Sequence, residues 1–140
     1  MKYGKKNWVF CDGDLPPSGD NPDFQGHEAL MITNVGKKDA HIRIRIIFED
    51  KPVYDKITID LNAERTTCLR LDKPIGKEQY QIPFGQYAIH VVSNVPVCAC
   101  FGRLDVRQTN MAFKKATLSI LFGYQSTLHY YTSTNIAIQM

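Results

Sequence analysis

Hydrophobic and polar residues alternate from Ala40 to Glu49: Ile42, Ile44, Ile46 and Phe48 fall on one side, and His41, Arg43, Arg45, Ile47 and Glu49 on the other. A period of two belongs to a β-strand with one buried and one exposed face. The same period recurs at Ile57, Ile59 and Leu61 and at Tyr87, Ile89 and Val91. His27-Glu28 opens an apolar strand from Ala29 to Ile32, and Leu118, Ile120, Phe122 and Tyr124 predict a last core strand.

Turn signals separate these segments. Asn34 to Asp39 predicts a hairpin loop, and Glu49 to Pro52, Asn62 to Glu64 and Ser93 to Pro96 predict further turns. Asp12 to Phe24 and Asp72 to Phe84, rich in Gly, Pro and charge, read as surface loops. Short strands at this spacing predict an all-β, single-domain antiparallel β-sandwich or barrel of about eight strands. Residues 1–124 form this domain, and residues 125–140 an extension that adds an edge strand, packs on a neighbouring subunit or frays.

The 140-residue length suits one domain, which hides roughly 68–70% of its unfolded surface on folding. A composition 44% hydrophobic and 22% charged fits an ordinary globular protein. No apolar run approaches the ~18 residues of a membrane span, and Met1 to Trp8 lacks the apolar stretch of a signal peptide, so a cytoplasmic location is expected. The formal charge of +3 permits anionic partners, nucleic acid included, without pointing to them.

Cys11, Cys68, Cys98 and Cys100 lack zinc-site spacing and are expected to be reduced and mostly buried. Cys98 and Cys100 share a strand face and cannot easily bridge each other. His27-Glu28-Ala29-Leu30-Met31 comes within one residue of the zinc-protease pattern, but Met31 stands where the second histidine must be, so no metal is expected. With no Gly-x-Ser-x-Gly elbow and no visible acid, base and nucleophile together, the expectation is a protein without catalysis or cofactor.

The densest polar set is Arg103, Asp105, Arg107 and Gln108, in which the two arginines and the aspartate share one face of an extended segment. Arginine forks of this kind hold carboxylates or phosphates, and they also form subunit-interface ladders. Arg43 and Arg45 offer further contacts for an acidic surface, and the His27-Glu28 pair either serves a ligand or satisfies loop backbone groups at a strand edge. Trp8, the only tryptophan, is expected in the core or at an interface.

Taken in order, Trp8, Gly13, Pro16-Pro17 and Gly19, His27-Glu28, Asn34, Asp39-Ala40-His41, Phe48, Ala63, Arg65, Ile82-Pro83, Ser93-Asn94-Val95-Pro96-Val97 and Arg103-Leu104-Asp105-x-Arg107-Gln108 resemble the sensory rhodopsin transducer family. The resemblance implies a small soluble cytoplasmic β-sandwich, jelly-roll-like, that assembles as a homotetramer and binds the cytoplasmic side of a seven-helix photoreceptor without catalysis. Architectural likeness to carbohydrate-binding sandwiches leaves a sugar or small anion as the alternative ligand. The pocket for it is expected between the two long loops, where Phe24, Tyr80 and Phe84 could stack, or near His27-Glu28. Gly26 and Asp14-Leu15 depart from the family pattern.

Overall fold

The computed structural model describes residues 3–106 and the backbone of residues 112–116 and 129–131. It is all β: β1 (Lys5–Asp14), β2 (His27–Asn34), β3 (Ala40–Phe48), β4 (Tyr54–Leu61), β5 (Arg65–Arg70), β6 (Gln86–Asp105), β7 (Ala112–Ala116) and β8 (His129–Tyr131). Every strand pairing is antiparallel. No helix among the described residues is long and apolar enough to cross a membrane.

The strands form two sheets that share β6. Sheet I runs β1-β6-β3-β4 and sheet II runs β5-β2-β6-β7-β8. The first half of β6 pairs with β3 as far as Ser93, and the second half pairs with β2 from Cys98 onward. Ser93 to Pro96 is therefore not a turn, contrary to its composition. The strand passes through it from one sheet to the other, and Pro96, which has no N–H to donate, sits where ladder pairing is interrupted.

A second departure from the sequence expectation lies at Asn34 to Asp39. β2 and β3 belong to different sheets and do not pair, so the loop is an arch across the sandwich rather than a hairpin. The fully buried Asn34 replaces the missing ladder. Its Nδ2 donates to the carbonyls of Lys38 (2.8 Å), Leu61 (3.3 Å) and Asn62 (3.3 Å), and its Oδ1 accepts from Gly36 N (3.0 Å). Asn62 to Glu64 forms the neighbouring arch, from β4 to β5, whereas Glu49 to Pro52 lies in a true hairpin loop between β3 and β4.

Inward-facing residues of both sheets make one core: Trp8, Phe10, Ile42, Ile44, Ile46, Ile57, Tyr87, Ile89 and Val91 from sheet I, and Leu30, Ile32, Val97, Ala99 and Phe101 from sheet II. Trp8 belongs to it, its Nε1 donating to Val97 O at 2.9 Å and so tying β1 to the crossing point of β6. The loop after β5 contributes Leu71, Ile75 and Ile82, each at most 3% exposed, and so closes the core instead of only connecting strands. Asp12, expected at the start of a loop, is still within β1. The predicted core strand at Leu118 to Tyr124 lies outside the described residues.

None of the four cysteines is in a disulfide and, contrary to the expectation that most are buried, none is: Cys11 and Cys68 are exposed and Cys98 and Cys100 half-buried. All four occupy outward positions of the strand alternation, so strand parity decides their exposure.

Candidate functional site

Two polar assemblies stand out, one inside the sandwich and one on its outer surface. The first grows from β2. Along that strand Glu28, Leu30, Ile32 and Asn34 face inward, so a carboxylate is carried into the interior with its side chain fully buried. Directly opposite on β6 stands Arg103, whose Nε donates to Glu28 Oε1 at 2.7 Å. The same oxygen accepts from Asp14 N at 2.9 Å, and the other accepts from the Tyr87 hydroxyl. Arg103 Nη2 continues to Asp12 O at 2.9 Å, with Asp12 Oδ1 3.6 Å away.

Glu28 thus joins the layers: Arg103 lies beside it in sheet II, while Asp14 and Tyr87 belong to sheet I. A buried carboxylate requires this density of donors, because an unpaired charge there costs several kcal/mol. Burial pushes the Tyr87 phenol well above its usual pKa, and the Glu28 charge and hydrogen bond add to that. Burial alone would lower the Arg103 pKa, but Glu28, with Asp12 and Asp14, reverses the effect and raises it.

Gly13 makes room for this network. A Cβ there would lie 2.6–2.8 Å from ring atoms of Tyr87. Gly13→Ala is expected to push the ring off Glu28 and to cost about 1–3 kcal/mol, the range for overpacking a filled core, measured by urea unfolding. An unchanged midpoint would mean that the Tyr87 ring has room to move.

The second assembly lies on the outer face of sheet I. Arg43 is exposed and has no partner among the described residues, while the half-buried Arg45 donates from Nη1 to His90 Nδ1 at 3.2 Å. Burial, then the charges of Arg45 and Arg43, holds the His90 pKa below its usual value. The ring is therefore neutral at neutral pH, accepts at Nδ1, and donates from Nε2 to Asn7 Oδ1 at 3.3 Å. On the β4 side a shallow cavity of about 270 Å³ is lined by His41, Ile42, Arg43, Thr58, Ile59, Asp60 and Lys77. Hydrogen bonds from Lys77 and His41, at 2.5 and 2.7 Å, hold the Asp60 carboxyl below the usual range. The face can hold an anion at Arg43 without first breaking an ion pair.

These positions separate residues that the sequence grouped. His27 and Glu28 are neighbours in a strand and so point to opposite sides; the His27 ring turns outward, its Nδ1 2.8 Å from Gln25 O. Arg103 points inward, with its side chain 11% exposed and its guanidinium engaged by Glu28 and Asp12. Asp105 ends β6, half-buried, and Arg107 and Gln108 lie outside the described residues. Arg43 and Arg45 are on the outer face as the alternation requires.

Tyr87, Asp12 and Asp14 were missed as members of the buried network. The available signals were a tyrosine at an inward strand position and a glycine at the closely packed position paired with it. Of the aromatic candidates, Phe24 and Phe84 are 48% and 75% exposed, and Tyr80 is stacked on Tyr54 with centroids 3.7 Å apart. A cavity of about 300 Å³ lies elsewhere, beside the first arch, lined by Tyr3, Val35, Gly36, Lys37, Lys38, Val95 and Pro96.

The family described as Anabaena sensory rhodopsin transducer matches residues 3–119. Two solved structures share the architecture. The crystal structure of Thermotoga maritima 1070 is 33% identical with a TM-score of 0.69, over 80% of this chain and 90% of that one. The Anabaena sensory rhodopsin transducer is 30% identical with a TM-score of 0.62, over 72% of this chain and 98% of that one. No curated protein matches the chain.

Proposed function

The chain belongs to the Anabaena sensory rhodopsin transducer family, and from that premise we propose that it is a non-enzymatic, cytoplasmic signalling adapter that binds the cytoplasmic face of a seven-helix sensory membrane receptor. The observation that supports this reading on the chain itself is the outer face of sheet I, where Arg43 has no partner among the described residues and Arg45, hydrogen-bonded to the neutral His90, extends the positive charge toward β1. Such a face complements an acidic receptor surface and steers encounter with it. Relay requires only that two receptor states bind the adapter with different affinity. Assembly as a homotetramer would cover sheet edges such as β4 and β5.

The experiment is affinity capture of the tagged protein from gently solubilised membranes of its host. The expected prey is a seven-helix membrane protein that elutes as salt rises well above about 0.1 M, where exposed charges are screened beyond about 10 Å. Capture of soluble proteins alone, at every salt concentration, would refute the adapter reading.

The cavity beside the first arch favours a second reading, binding of a small anionic or carbohydrate ligand. Tyr3, 61% exposed, offers a stacking face, Val35, Val95 and Pro96 an apolar wall, and Lys37 and Lys38 positive charge. Protection of Tyr3 fluorescence by a ligand, lost in Lys38→Ala, would support it.

A further inference from the structure

One end of the sandwich combines exposed apolar side chains with an excess of positive charge. At this end β1, β3 and β5 begin, β2 and β4 finish, and β6 passes between the sheets at Ser93 to Pro96. The two arches meet there, Glu64 N donating to Gly36 O at 3.2 Å. Tyr3 and Val35 are exposed and, with Val95 and Pro96, form the apolar side of the cavity of about 300 Å³. Lys5, which pairs with Val97, and Lys6 follow Tyr3 at the start of β1.

The charges at this end do not cancel. Lys37 is taken up by Glu64, Nζ to Oε1 at 2.6 Å, and Asp60 by His41 and Lys77. Asp39 accepts from Ala63 N at 2.8 Å. Lys5, Lys6, Lys38 and Arg65 have no carboxylate partner among the described residues. The opposite end differs in sign: Phe24, Val53 and Phe84 are exposed there, but the loops that carry them hold more carboxylates, Asp20, Asp23, Glu49 and Asp50 among them, than lysines.

Exposed apolar side chains rimmed by charge mark contact with a protein or a membrane. Four apolar side chains fall well short of the about 800 Å² per partner of a stable protein interface. A bilayer needs only a few inserted side chains plus charge, each basic residue near an anionic surface adding about fivefold to partitioning. Tyrosine suits the headgroup level, where its ring is apolar and its hydroxyl wet, and lysine stems cover apolar surface while the ammonium reaches phosphate.

We propose that this end of the sandwich is a peripheral membrane-binding surface, in which Tyr3 and Val35 enter the headgroup region of an anionic bilayer and Lys6, Lys38 and Arg65 meet lipid phosphates. It rests on the anion-binding reading of this cavity and names a lipid surface as the source of the anion. Seated this way, the protein holds Arg43, three residues after the start of β3 at the same end, close to the bilayer, where the cytoplasmic face of a receptor lies.

The test is flotation of the full-length protein with receptor-free vesicles, one set of phosphatidylcholine alone and one of phosphatidylcholine and phosphatidylglycerol in equal parts. The wild type should float with the anionic set, detach as salt rises well above about 0.1 M, and stay behind with the neutral set. Lys6→Glu/Lys38→Glu should weaken partitioning at least about 25-fold, two charges at about fivefold each. Tyr3→Ser/Val35→Ser should weaken it about tenfold, and Phe84→Ser, at the opposite end, should leave it unchanged. All five positions are exposed, so the variants fold as the wild type does. No flotation with the anionic set, or equal flotation of the wild type and both double variants, would overturn the proposal. Soluble glycerol 3-phosphate separates it from the reading it rests on. Binding of glycerol 3-phosphate that is lost in Lys38→Ala, without flotation, would remove the membrane and leave the small-ligand reading standing, whereas absence of both would remove both.

Discussion

Glu28→Ala is expected to lower the unfolding free energy by about 3–5 kcal/mol, the cost of leaving one partner of a buried ion pair uncompensated. In a domain of this size that corresponds to a fall in Tm of roughly 10–20 °C. The reason is cumulative. Arg103 keeps its charge in a site where its side chain is 11% exposed, and the Tyr87 hydroxyl and the Asp14 amide lose their acceptor. Because these donors belong to both sheets, the loss also loosens the closure of the sandwich where β1 ends. In a double-mutant cycle, Arg103→Ala should cost less in the Glu28→Ala background than in the wild type, with a coupling of about 1–3 kcal/mol. Urea unfolding measures both; a Glu28→Ala loss below about 1 kcal/mol would remove this network from the account of the fold.

The second large effect is on binding, and it should leave stability alone. Arg43→Glu/Arg45→Glu reverses the charge at two outward positions of β3, while Ile42, Ile44 and Ile46 beneath remain at most 2% exposed. Surface substitutions of this kind stay within about ±0.5 kcal/mol of wild-type stability. Like charges facing each other across an interface cost several kcal/mol. Affinity for an acidic partner should therefore fall by at least about 30-fold, with the remaining binding less sensitive to salt.

The two substitutions probe the parts of the molecule that the sequence rendered unequally. Strand periodicity at Ile42, Ile44 and Ile46, at Ile57 and Leu61, and at Tyr87, Ile89 and Val91 is a local property, and each segment is a strand with that face buried. What joins the strands is not local. Asn34 to Asp39 has hairpin composition, yet it crosses between sheets because one buried side-chain amide supplies bonds to three carbonyls, a device invisible to turn statistics. Ser93 to Pro96 also has turn composition, but residues before and after it pair with strands of different sheets.

The candidate site divides in the same way. The outward placement of Arg43 and Arg45 follows from parity alone. Arg103 looked like part of an exposed charged face because its inward partner, Glu28, is 75 residues away in the chain. Parity within β2 does separate Glu28 from His27, but only the three-dimensional pairing of β2 with β6 shows why an inward carboxylate is tolerated.

The central claim is that the basic outer face of sheet I is the surface that engages a sensory membrane receptor. Its most direct test is titration of the seven-helix protein captured from host membranes with the wild type and with Arg43→Glu/Arg45→Glu, after both are shown to unfold at the same temperature. The predicted result is binding by the wild type that weakens with salt and is at least about 30-fold weaker in the variant. Equal affinity of the two proteins would contradict the claim and move the partner-binding surface elsewhere on the sandwich.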